Sequence, residues 1–267
     1  MINRKYLHIG ALLITIMFFI NAKHLIAIVF MFFYIIIINY PTVLYYIANY
    51  RYSQNKLEDA KKYFDMMNRC FYSSTKLRIS YVYFLLLLGQ LDNAEKLVKS
   101  ILNTKMNDVD NTKLNLNYSL VMWKKNDLDM AIDILKKIFN NKNTIIYQNL
   151  GYFLILKGDY NEALEFNIEA LDYNSSDLGI MDNLAQTYYY LEEINKAIEL
   201  FDEIITKKPT FASPYYYYAL ALIEKNNKEK AIEVLKKGLK CNFNSLSIIT
   251  KEDLEAKISE LEMIKDI

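Results

Sequence analysis

Tyr147-x-x-Leu150-Gly151-x-x-Leu154, Met181-x-x-Leu184-Ala185-x-x-Tyr188 and Tyr215-x-x-Tyr218-Ala219-x-x-Leu222 are three versions of one pattern, all inside the stretch Thr144 to Phe243. Each is followed later in its unit by an alanine, and Ala163, Ala197 and Ala231 fall 34 residues apart. Self-similarity at a fixed period of this length marks a repeat array, in which each unit is one supersecondary structure and buries its apolar face against its neighbours. Apolar residues spaced three and four apart argue for helices. Gly151, Ala185 and Ala219 are small where two helices must approach closely.

Reading outward, Ala131, Ala94 and Ala60 continue the series toward the N-terminus, with spacings of 32, 37 and 34 residues. Gly158-Asp159 and Asn226-Asn227 supply turn residues between the helices of their units, while Glu192-Glu193 stands there in the fifth. The loosened spacing falls in the third unit, where the polar run Leu102 to Lys113 reads as a lengthened loop, an insertion that costs little stability. Asp108-x-Asp110 within it lacks the glycine and following acidic ligand of an EF-hand loop, so it reads as solvated loop rather than as a calcium site.

This pattern resembles the tetratricopeptide repeat (TPR), a 34-residue pair of antiparallel helices with aromatic, Leu-Gly, Tyr, Ala, Phe and Pro positions. Pro209 closes the fifth unit as that pattern expects, whereas Ser175 and Phe243 replace the proline elsewhere. The resemblance implies an all-α protein: an α-solenoid of about six helix pairs over residues 41–243, starting at Pro41. A C-terminal capping helix follows within 244–267, with Leu254, Ile258, Leu261 and Ile264 along one face.

The N-terminal stretch follows a different rule. From Tyr6 to Tyr40 it is apolar on every side, broken only by Asn21-Ala22-Lys23-His24, and a helix of that kind belongs in lipid. One helix of this length would overshoot a hydrocarbon core of about 30 Å. Residues 1–40 therefore read as a membrane anchor, a hairpin of two short transmembrane helices at about 6–22 and 25–40. Arg4 and Lys5 precede the first span, and Arg51, Lys56, Lys61 and Lys62 follow the second. The positive-inside tendency then puts the repeats in the cytoplasm. The alternative is an envelope-facing accessory factor for secretion or cell-wall assembly, with its repeats outside the membrane. A cleaved leader fits less well, because Ile20-Asn21-Ala22 lacks a small-x-small cleavage site.

Composition removes several classes of function. The chain is 53% hydrophobic with 6 Gly and 3 Pro, which excludes disorder. Its formal net charge of +1 offers no basic stripe for a phosphate backbone, so nucleic acid is not expected as a partner. Both histidines, His8 and His24, lie in the apolar stretch, and the two cysteines, Cys70 and Cys241, are far apart in the array. No nucleophile–base set, phosphate loop or metal-ligand spacing is visible, so no catalytic residue, metal or cofactor is expected.

What remains is the inner face that the resemblance implies, lined by first-helix residues beside the packing positions. Carried over residue by residue, that face takes Tyr83 and Leu87 from the second unit, then Leu120 and Trp123 from the third. Tyr152, Ile155 and Leu156 come from the fourth, Gln186, Tyr189 and Tyr190 from the fifth, and Tyr216 and Leu220 from the sixth. The row is apolar and rich in tyrosine, which suits a protein or peptide ligand. Asn149 and Asn183 resemble parts of the clamp with which some TPR proteins hold acidic tails, but no basic residues accompany them. A membrane-anchored scaffold for a protein partner is the expected function.

Overall fold

The computed structural model describes residues 4–21 and 23–263, and all regular structure among them is helical. Fourteen helices follow in chain order. The first seven are α1 (Arg4–Ile20), α2 (His24–Ser53), α3 (Leu57–Arg69), α4 (Thr75–Leu87), α5 (Leu91–Leu102), α6 (Asp108–Lys124) and α7 (Leu128–Ile138). Then come α8 (Thr144–Lys157), α9 (Tyr160–Tyr173), α10 (Leu178–Tyr190), α11 (Ile194–Thr206), α12 (Ser213–Glu224), α13 (Lys228–Gly238) and α14 (Lys251–Met263). The chain divides into two compact units, one of Met1–Phe84 with Lys96–Asp110 and one of Leu85–Glu95 with Asn111–Ile267.

The periodicity read from the sequence has a physical counterpart in every repeat. Ala60, Ala94, Ala131, Ala163, Ala197 and Ala231 are all fully buried. Twelve residues before each stands another small or buried side chain: Ala48, Val82, Ser119, Gly151, Ala185 and Ala219. Five residues before each alanine the backbone turns left-handed, at Asn55, Gly89, Asn126, Gly158, Glu192 and Asn226, with φ between 57° and 87°. Glycine and asparagine occupy that conformation at low cost. Glu192 occupies it because the repeat requires the turn, whatever the residue.

In the first unit, α1 packs against the N-terminal half of α2. The Tyr34 hydroxyl and His8 Nδ1 are hydrogen-bonded at 2.7 Å, Phe18 and Phe30 meet edge-on at 6.2 Å, and Ala11 and Ala27 are buried. The outward side chains, among them Leu12, Leu13, Phe32, Phe33 and Ile35, are exposed. Here one expectation is corrected: no helix starts at Pro41. That residue lies inside α2, which runs unbroken through it. Proline's fixed φ is helical, so the ring costs the ladder one hydrogen bond. Leu44 and Ala48 just beyond are buried, so the C-terminal half of the same helix is the first helix of repeat one. It packs against α3, where Phe64 meets Tyr45 edge-on at 6.1 Å and stacks on Phe84 at 4.5 Å. Tyr81 lies parallel to Phe64 and donates its hydroxyl proton to Asp65.

A second correction concerns the polar run of the third unit. Only residues 103–107 form a loop, and Asp108 to Lys113 belong to α6. Asn107 Oδ1 accepts from the Asp110 backbone N–H at 2.8 Å, which caps the helix. Asp108 and Asp110 then stand in its first turn, where the helix dipole favours acidic side chains. The residues that looked like solvated loop are a helix start signal.

In the second unit, side-chain caps open most of the helices. Asp127, Asn143, Asp159, Asp177 and Asn227 each accept a backbone N–H two or three residues on. Thr250 and Asp253 cap α14 reciprocally: Thr250 N donates to Asp253 Oδ2 at 2.8 Å and Asp253 N to Thr250 Oγ1 at 3.1 Å. Leu254, Ile258 and Leu261 of α14 share a core with Ala231, Leu235 and Phe201. Ile264, which the sequence places on the same face, and Ala22, the end of the first expected span, lie outside the described residues.

Candidate partner-binding face

The first helices of the last three repeats, α8, α10 and α12, carry the aromatic row, and the polar residues of the row lie deepest. Asp182 on α10 is 2% exposed and Gln186, one turn on, is fully buried. Asp182 Oδ2 accepts from the Ser213 hydroxyl at 2.6 Å and from Gln186 Nε2 at 2.9 Å, and Gln186 Nε2 also reaches Ser213 Oγ at 2.9 Å. This triad ties α10 to the start of α12. Asp182 Oδ1 and Gln186 Oε1 are buried without a donor. Burial pushes the Asp182 carboxyl up to about 7, against the partial compensation of the Ser213 and Gln186 hydrogen bonds. Asn183 holds the neighbouring pair of helices, donating from Nδ2 to the Gln148 carbonyl at 2.8 Å.

Tyrosines surround that polar centre. Tyr190 stacks on Tyr160 at 4.9 Å and shares a hydroxyl–hydroxyl hydrogen bond of 3.1 Å with Tyr217. Tyr217 also meets Tyr189 at 6.1 Å and Tyr216 at 5.6 Å. Burial raises the phenol of Tyr217 well above the ordinary range, and the hydrogen bond to Tyr190 adds to it. Tyr152 is raised likewise, again first by burial. On α6, Trp123 lies edge-on to Tyr152 at 5.7 Å, and Lys124 Nζ sits 4.2 Å from the indole centroid. Half-buried, that ammonium has its pKa lowered by desolvation.

The residues named from the sequence therefore sit at different depths. Tyr152, Ile155 and Gln186 are buried. Leu87, Leu120, Trp123, Tyr189, Tyr190, Tyr216 and Leu220 are half-buried, Leu156 is exposed, and so is Tyr83, which belongs to the N-terminal of the two compact units. Sequence reasoning passed over Asp182, Ser213 and Tyr217. Asp182 could have been found, because it lies four residues before Gln186 and so on the same helix face. The arrangement offers large aromatic contact area around two buried acceptors, and among the described residues no cluster of three or more His, Cys, Asp or Glu could hold a metal ion.

Family models described as tetratricopeptide repeat match residues 145–177, 178–207 and 212–244. These units are tetratricopeptide repeats. A tetratricopeptide repeat-containing protein of Caenorhabditis elegans is 22% identical over 159 residues, 58% of this chain and 19% of that protein. The chain spans at most 19% of the length of the curated relatives it matches. Among solved structures, a TPR protein from Parabacteroides merdae superposes with a TM-score of 0.70 at 15% identity, covering 95% of this chain and 98% of that one. A chain of the APC/C hetero-tetramer Cut9-Hcn1 gives a TM-score of 0.64 at 15% identity, covering 83% of this chain and 42% of that one. The fold is thus the all-α TPR solenoid.

Proposed function

We propose that the chain is a scaffold anchored in a membrane by residues 6–40, holding a protein or peptide partner on the face built by α6, α8, α10 and α12. The observation that carries this reading is the set of half-buried tyrosines, Tyr189, Tyr190, Tyr216 and Tyr217, massed on consecutive first helices. Tyrosine gives wide contact with a polar handle and loses little side-chain entropy on binding. One fold neighbour was crystallised as a hetero-tetramer, an assembly of the kind this reading requires. The anchor is supported by α2, the one described helix long and apolar enough to cross a membrane, and by the apolar Tyr6–Ile20 segment packed beside it. A tethered scaffold searches a surface rather than a volume, so modest affinity on that face suffices.

The test of the face is Tyr189→Ser with Tyr216→Ser, followed by crosslinking in the native membrane. Loss of captured proteins from a variant that keeps its helical circular dichroism is the expected result; unchanged capture sinks the reading. Sidedness is tested with a cysteine at Lys225, an exposed turn position, in a chain otherwise free of cysteine. Cys241 is a poorer reporter because burial raises its thiol pKa. Reaction with an impermeant reagent only after lysis places the repeats in the cytoplasm. Reaction in intact cells supports the envelope-facing alternative.

A further inference from the structure

The connector between α13 and α14 makes contacts that the repeat pattern does not call for. It starts where Asn242 N donates to the Thr210 carbonyl at 3.0 Å and ends at buried Ile249 and the cap of α14. Between these anchors, Asn244 to Ser247 form a tight turn: Asn244 Oδ1 accepts from Leu246 N at 2.8 Å, and Ser247 N donates to the Asn244 carbonyl at 3.0 Å. The turn points back at the second and third repeats. The Ser245 hydroxyl donates to the Leu86 carbonyl at the end of α4, 159 positions away in the chain. Lys124 Nζ, at the end of α6, donates to the Ser247 carbonyl at 3.3 Å. Leu86 adjoins Leu87, and Lys124 adjoins Trp123 and lies over its ring. The Lys124 foothold is thus next to a residue of the proposed partner face, and the Leu86 foothold is next to Leu87 on α4, which the sequence pattern also assigns to the inner row.

We propose that this connector is a releasable strap across one end of the face, and that a partner segment binds there by displacing it. The inference rests on the partner-binding reading above. Ordinary strength and easy release follow from the same facts. The middle of the strap makes two polar contacts, from Ser245 and the Ser247 backbone, with Asn244 and Ser245 exposed and Leu246 half-buried. The anchors belong to the terminal core, so the turn can lift without unfolding the last repeat. A lifted strap uncovers one carbonyl acceptor, on Leu86, and one ammonium donor, on Lys124. The displacing segment accordingly supplies a hydroxyl or amide donor together with a carbonyl or carboxylate acceptor. Because the strap is tethered, its effective concentration is on the order of millimolar, and it masks weaker competitors.

A disulfide tests it. A Cβ built on Gly89 lies 3.6 Å from Ser245 Cβ, inside the roughly 3.5–4.5 Å that a disulfide spans. Position 89 is left-handed, but asparagine and glutamate occupy that conformation in other repeats, so a cysteine fits there with modest strain. The protein is Gly89→Cys with Ser245→Cys, and Cys70→Ser with Cys241→Ser to remove competing thiols. The probe is a fluorescent synthetic peptide of residues 242–250, the strap's own sequence. On oxidation the bond should form in the folded protein, and the reduced form should bind the peptide about tenfold or more tightly than the oxidised form. A second variant, Asn244→Gly with Ser245→Gly and Leu246→Ser in the natural chain, loosens the turn and should bind the peptide more tightly than the natural protein does. Failure of the disulfide to form in a protein with intact helical circular dichroism overturns the strap contact. Equal binding to both forms, including no binding to either, overturns the gate. Should the tyrosine variants keep their partners while the disulfide gates the peptide, the partner face falls and the strap stands.

Discussion

Gly151 and Asn167 in the fourth repeat stand where Ala185 and Phe201 stand in the fifth, 34 residues on. In the fourth, a fully buried asparagine fills the space a glycine leaves open. Asn167 Nδ2 donates to Thr187 Oγ1 at 3.1 Å, its Oδ1 has no donor, and a Cβ on Gly151 would collide with that oxygen. In the fifth, the alanine methyl and an aromatic ring share one core. Phe201 stacks with Tyr218 at 5.9 Å, and Tyr218 donates its hydroxyl proton to Asp202. Along the proposed partner face polarity changes the other way, Gln148 and Tyr152 of the fourth repeat becoming Asp182 and Gln186 in the fifth. One backbone register accepts either filling provided that volume and polarity change together across the helix pair.

The difference can be broken from either side. Phe201→Ala should cost about 3–5 kcal/mol of unfolding free energy by chemical denaturation, since it removes a fully buried ring that a close-packed core refills poorly. Asn167→Ala should cost about 1 kcal/mol, because half of that amide is already without a partner; equal losses would mean that the two fillings are not different in kind. Asp182 marks the fifth repeat by pH. Its pKa is about 7 in the native state against 3.8 ordinarily, so the folded protein binds the proton more tightly. The stability it contributes is complete below the ordinary carboxylate range and is lost as pH rises toward 7. Between pH 5 and 7 that is about 2 kcal/mol, falling as pH rises, and Asp182→Asn should flatten this part of the melting-temperature profile. Gly151→Ala should cost about 1–2 kcal/mol and Asn167→Ala should rescue most of it, a coupling that a double-mutant cycle reads directly. Last, Glu192→Gly should stabilise by about 0.5–1 kcal/mol, while Gly158→Ala at the equivalent turn should destabilise by a similar amount.

Much of the architecture was legible in the alanines, because a packing position that must be small in every repeat leaves a period in the sequence. The turns were plainest where glycine or asparagine supplies the left-handed residue, and weaker at Glu192, which only its place in the repeat puts at the turn. Asp108 and Asp110 were misread because caps and loops draw on the same polar residues, and only the start of the next helix tells them apart. Pro41 misled because proline marks a helix start more often than an interior. The depth of the site was hidden for a further reason: a helical period says which way a side chain points, not what lies over it. Tyr152, Ile155 and Gln186, expected on an open face, are buried. The Ser245 contact with Leu86 lay wholly outside a reading in which each repeat speaks only of its neighbours.

The unbroken course of α2 has a mechanical consequence. Its apolar half and the helix that opens repeat one belong to one continuous helix with Pro41 inside it. The angular phase of the first repeat is therefore geared to that of the apolar half. Adding one residue between Ile38 and Leu44 would turn one half against the other by about 100° and lengthen the rod by about 1.5 Å, whereas adding a whole turn would nearly restore the phase. A series of insertions at that place should give a response that rises and falls with the helical period, the behaviour of a drive shaft rather than of a leash.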